Sequence, residues 1–195
     1  IGKAPYMARF TPDGRYLIAN NLYWGPDVQG KWVEAPRGDV VSIRLNAGTQ
    51  KNGLPRHALV SRAMTSVGPE GLTISPNGLM VVTANVERSY LPHKDKRITP
   101  YSSISLIDLN PKTGQLTHVS DYQFDGVLTE AAAFDAESKY LAVTNYDHFD
   151  DKKKGGTIDF WRVTSDPLIP RPILVKTNNS IPVSRGVHSM IFIDK

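Results

Sequence analysis

The chain has 195 residues, 40% hydrophobic and 22% charged, with a formal net charge of +4, a composition of folded globular chains rather than disordered ones. The basic excess is scattered, and its one run, Lys152-Lys153-Lys154, is offset by Asp150 and Asp151; a nucleic-acid partner, which needs a concentrated basic surface, is therefore disfavoured. No apolar run approaches the roughly 18 residues of a membrane span, and the absence of cysteine excludes disulfides, thiolate nucleophiles and zinc–thiolate sites.

Taken in chain order, the strand signals come in repeated sets. A short apolar strand ends at Phe10, the turn Pro12-Asp13-Gly14 follows, and a longer apolar run covers 16–19. An alternating strand is predicted over 39–45 and another over 57–62. The same order returns with 72–74, the turn Pro76-Asn77-Gly78, then 79–84, 103–109 and 116–124. It returns again with Phe134, the turn Ala136-Glu137-Ser138, then 140–144, 157–163 and 173–177. Asp-Gly and Asn-Gly between apolar runs are strong hairpin signals. Phe10, Ile74 and Phe134 correspond, at spacings of 64 and then 60 residues, and Phe192 begins a fourth set 58 residues further on. Asn21, Asn85 and Asn145 also recur once per set, which predicts a structural role in bonding turns. No segment has the period of a long amphipathic helix.

Four-stranded units repeating at this length are blades of an all-β propeller. The predicted blades span about 5–63, 68–125 and 128–180, and residues 186–195 begin the next. Propellers close with four to eight blades, so this is expected to be a partial propeller domain whose parent has six or seven. The remainder would come from the same parent chain or from a second copy. No signal peptide is visible and the chain begins at Ile1, so the natural N-terminus is expected upstream.

Pro69-Glu70-Gly71-Leu72, Ser75-Pro76-Asn77-Gly78, Thr83-Ala84-Asn85 and Ser105-Leu106-Ile107-Asp108-Leu109 form a pattern that resembles the YVTN and lactonase-like bacterial β-propellers. Thr11-Pro12-Asp13-Gly14 and Ala19-Asn20-Asn21 keep it, and Asp135-Ala136-Glu137-Ser138 departs from it. The resemblance covers nearly all the chain. It implies a periplasmic or extracellular protein and, among several activities of this superfold, a lactonase-type hydrolase.

The predicted strand 2–3 loops, 22–38, 86–102 and 146–156, are long and lie on one face with the channel mouth, where binding sites concentrate. They carry Trp24, Trp32, Glu87, Tyr90, His93, Asp147, His148 and Phe149. The position four residues before each aligned apolar residue is Tyr6, Glu70, Glu130 and His188 in successive blades. Three of these four are carboxylates or imidazole. Glu70, Glu130 and His188 are candidates for a general acid and base, or for ligands to a divalent metal, calcium or a transition metal. A carboxylate there could equally tie blades together through backbone amides. Tyr6, Trp24, Glu87, His93, Asp147, His148 and Arg185 are candidate contacts to a small polar or anionic ligand. The readings left standing are a scaffold presenting a ligand- or partner-binding face, a hydrolase at the channel mouth, and a partner-docking subunit of a multi-component oxidoreductase.

Overall fold

A computed structural model describes residues 2–23, 35–150, 152–165, 168 and 171–193. Among these residues twelve strands form three antiparallel sheets, each with its strands adjacent in sequence order. The first holds β1 (Pro5–Phe10), β2 (Tyr16–Asn21), β3 (Arg37–Thr49) and β4 (Pro55–Val67). The second holds β5 (Pro69–Ile74), β6 (Met80–Asn85), β7 (Ser102–Leu109) and β8 (Leu116–Phe124). The third holds β9 (Ala132–Phe134), β10 (Tyr140–Asn145), β11 (Gly156–Ser165) and β12 (Pro172–Val183). The protein is all-β, and the sheets are propeller blades.

The blades are held face to face by apolar side chains alternating along the middle strands. Tyr16, Ile18 and Val40 of the first blade pack with Leu72, Val81, Ile107 and Leu109 of the second. Met80, Val82, Ile104, Leu106 and Phe124 pack in turn against Leu141, Val143, Trp161 and Leu174 of the third. Successive residues of a strand point to opposite faces, so Val81 serves one interface and Val82 the other. Full burial of each such side chain stabilises the fold by about 1.5–3 kcal/mol. The outer strands are half exposed, which leaves them a weaker apolar signal; β3 and β4 each run 13 residues, well past the predicted limits.

The hairpin turns follow their sequences. Thr11 Oγ1 donates to Asp13 Oδ1 at 2.7 Å, Ser75 Oγ donates to Asn77 Oδ1 at 2.7 Å, and Gly14 and Gly78 take positive φ. In the divergent third turn Ser138 takes the positive-φ position, at 59°, while Asp135 Oδ1 accepts from the amides of Lys139 and Tyr140. The departure in sequence therefore keeps the turn.

The repeated asparagines do not bond turns. Asn21, Asn85 and Asn145 are fully buried at the ends of β2, β6 and β10. Asn21 Nδ2 donates to Asp39, Asn85 Nδ2 to Ser103 and Ser105, and Asn145 Nδ2 to Thr157 and Asp159. Each clamps the second strand of its blade to the third where ladder bonding ends.

After β12 the chain returns to the channel, and residues 186–193 carry no strand. Met190, Ile191 and Phe192 lie beside Ala133 and Phe134 of β9, without forming a ladder.

Candidate functional site

Glu70 owes its position to a local irregularity. On β5 Pro69 pairs with Asn85 and Gly71 with Ala84 of β6, so Glu70 is an extra residue in the ladder. Such bulges re-aim a side chain. Asn20 of the first blade fixes the backbone here: its Nδ2 donates to the carbonyls of Pro69 and, at 3.3 Å, Glu70, and its Oδ1 accepts from Met7 N at 2.7 Å. From the other side the third blade presses close. A Cβ on Gly71 would stand 2.7 Å from the Glu130 carbonyl and 2.8 Å from Ala84 Cβ. The bare glycine lets the segment carrying Glu130 approach Glu70.

His188 completes the group. Its Nδ1 contacts Glu130 Oε2. Its ring meets the Tyr146 ring edge-on, centroids 5.4 Å apart, and Gly186 N donates to the Tyr146 carbonyl at 3.2 Å. Nε2 is thereby left as the open nitrogen of a ring held by a carboxylate on its other side.

The Glu70 side chain is 8% exposed and forms no hydrogen bond among the described residues. Burial pushes its carboxyl up to about 7; the negative charge of Glu130 adds to the rise and His188 opposes it. Tyr6 feels the same field: partial burial, then Glu70 and Glu130, raise its phenol. Of these four positions Glu130 and His188 are in contact, and Glu70 and Tyr6 lie within the field of their neighbours, the first as an acid that keeps its proton near neutrality and the second as a phenol. Among the described residues no group of three or more His, Asp or Glu side chains is arranged to hold a metal ion.

The remaining candidates divide. Glu87 turns inward: it is 5% exposed, and Ser103 Oγ donates to its Oε1 at 2.5 Å. Burial raises its carboxyl, and bonds from Ser103 and Ser66 pull it back. It braces its loop against β7. His93 is exposed and stacks on Phe149, centroids 4.6 Å apart, joining the second and third loops. Asp147 accepts from Arg185 Nε at 2.9 Å and from the His148 amide at 2.9 Å. Arg185 lies over the Tyr146 ring at 5.5 Å, so it borders the mouth as expected. Trp24 and Trp32, along with Asp27, Lys31 and Glu34, lie outside the described residues. Sequence reasoning did not single out Gly71, Asn20 or Tyr146. Asn20, standing where the other two blades have Ala84 and Thr144, was the available signal.

No family model matches the chain, and no curated protein matches its sequence. Solved structures do. A candidate 6-phosphogluconolactonase of Bacteroides fragilis superposes with a TM-score of 0.61 at 16% identity, over 93% of this chain and 40% of that one. The periplasmic gluconolactonase of Pseudomonas aeruginosa gives 0.56 at 18% identity, over 81% and 39%. Hydrazine synthase of Kuenenia stuttgartiensis gives 0.57 at 15%, over 96% and 52%. This chain shares its propeller fold with these structures. It spans about 40% of the length of the lactonase-like chains it resembles. Among the described residues no helix is long and apolar enough to cross a membrane.

Proposed function

We propose that the channel mouth binds a small polar ligand and hydrolyses a lactone or related ester by acid–base chemistry. The Glu70 carboxyl carries this reading. A carboxylate that merely tied blades together would accept hydrogen bonds from backbone amides; Glu70 accepts none among the described residues and stays protonated to about pH 7. Beside it stands an imidazole whose Nδ1 is held by Glu130. A raised carboxylic acid and an oriented imidazole are the two groups that ester hydrolysis requires.

In this reaction His188 Nε2 takes a proton from water as the water oxygen adds to the ester carbon. The Tyr6 hydroxyl, protonated at neutral pH as phenols are, donates a hydrogen bond to the carbonyl oxygen as charge collects there. Glu70 gives its proton to the ring oxygen as that C–O bond breaks. The product is a hydroxy acid, and the imidazolium proton returns to the Glu70 carboxylate through solvent. The lactonase-like fold supports the reading at the level of scaffold.

The parent is read as a six- or seven-bladed propeller of the YVTN group, on the strength of Pro69-Glu70-Gly71 and Ser75-Pro76-Asn77-Gly78 and their partial echo in Thr11-Pro12-Asp13-Gly14. A periplasmic or extracellular setting accords with the cysteine-free sequence. Hydrolysis of sugar lactones and simple esters tests the reaction. Glu70→Gln and His188→Ala are each expected to lower kcat/KM by about 10²–10⁴-fold while the protein remains folded under the assay conditions. Rates equal to the unmodified protein's in both variants would sink the proposal.

A further inference from the structure

A second feature lies beside the mouth. The loop after β10 and the segment after β12 enclose a cleft of about 240 Å³ lined by Asp147, His148, Lys153, Lys154, Gly155 and Arg185. One bound water occupies roughly 30 Å³, so a group of several heavy atoms fits with room for solvent. Three permanent cations face one carboxylate, and that carboxylate is already engaged by Arg185 Nε and the His148 amide. Lys153 is held by Asp125, with Nζ 3.0 Å from Oδ2. Lys154 has no ion-pair partner among the described residues. His148 Nδ1 is buried and has no hydrogen-bond partner there either. A buried polar nitrogen without a partner costs stability unless a ligand or water satisfies it.

The frame is tight. Gly155 takes a φ of +84°, and a Cβ on it would stand 2.6 Å from the Val183 carbonyl. The lysine loop is thereby pinned against the end of β12. The cleft is also contiguous with the mouth, since Arg185 covers the Tyr146 ring and that ring meets His188.

We infer that this cleft is an anion subsite: it takes a phosphate or carboxylate group through His148 Nδ1 and Lys154 Nζ, flanked by Lys153 and Arg185. Charge-assisted bonds of this kind are the strong ones. That the anion is one end of the molecule hydrolysed at the mouth rests on the proposed function; the subsite itself does not.

The test is titration of the protein with inorganic phosphate and, separately, with acetate, at constant ionic strength, following the His148 ring and the Gly155 amide by NMR. A saturable shift with a millimolar Kd is expected. Lys154→Ala should raise Kd about tenfold, and Lys154→Glu should abolish saturation. Lys154 is exposed, so both variants retain the fold. A response to phosphate alone assigns a phosphoryl group, and a response to acetate alone a carboxylate; either supports the subsite. No saturable shift with either anion overturns it, as does an unchanged Kd in both Lys154 variants. Phosphate binding should survive Glu70→Gln; its loss there would put the anion in the mouth and overturn a separate cleft. If both mouth variants kept full hydrolysis while phosphate still bound, the mouth reading would fail and the subsite would stand.

Discussion

Glu70 and Glu87 are two carboxyls of the second blade, 8% and 5% exposed, and they have opposite surroundings. Glu87 is met by hydroxyls: Ser103 donates to it, Ser66 assists, and its loop is braced as a result. Glu70 is met by a second carboxylate and an imidazole, with no donor of its own among the described residues. Burial alone therefore does not mark a site. What separates the two is whether the fold satisfies the charged form. Where it does, the group is part of the frame; where it does not, the proton is retained and becomes available for transfer.

The largest effect that would sharpen this contrast is Glu87→Ala. It strands the Ser103 and Ser66 hydroxyls in the interior and should cost about 3 kcal/mol in denaturant unfolding, with Glu70→Gln costing far less. Equal losses from the two variants would erase the distinction.

Next comes pH. The folded Glu70 carboxyl holds its proton to about 7, against an ordinary value of 4.5. The folded state thus binds more protons across that interval. The stability this contributes is fully present below 4.5 and is lost as pH rises through about 7. The unmodified protein should lose on the order of 2 kcal/mol between pH 4.5 and 7.5 relative to Glu70→Gln. Parallel stability–pH curves would show that Glu70 titrates normally.

Gly71→Ala probes how the two carboxyls are kept close. The new Cβ meets the Glu130 carbonyl and Ala84, so the blades must part at a cost of about 1–2 kcal/mol. The Glu70 pKa, followed by carboxyl NMR, should fall as Glu130 moves away. Last, Asn20→Ala removes the bond to the Pro69 carbonyl and should cost about 1 kcal/mol.

The architecture was legible because it is repeated. Phe10, Ile74 and Phe134 at near-constant spacing identify blades, and repetition corrects for noise in any one strand. Even the irregular turn at Ser138 kept its place, since position in the repeat outweighed its residue type. The outer ends of β3 and β4 were not legible, because half-exposed strands carry little apolar alternation. That Tyr6, Glu70, Glu130 and His188 hold equivalent positions could be read from the alignment of blades. The inward turn of Glu87 could not: the loop residue has a φ of 56°, and no pattern in the sequence announces that reversal. Nor did anything in the sequence show that the Asn85 amide would reach Ser103 and not a turn. Side-chain direction at strand ends depends on the neighbouring strand, which the local sequence does not contain.

The slot that delivers Glu70 has a further consequence. The equivalent sequence position recurs in each of the three described blades and once more after β12, and its occupants are a phenol, two acids and an imidazole. Because consecutive blades supply consecutive groups, their order around the axis is the order along the chain. Exchanging the residues at two slots permutes the reactive groups around the ring while leaving the interblade packing of Val81, Val82 and their partners in place. A propeller of this kind is in effect a rotary holder, in which the residue shown to the channel can be changed one position at a time.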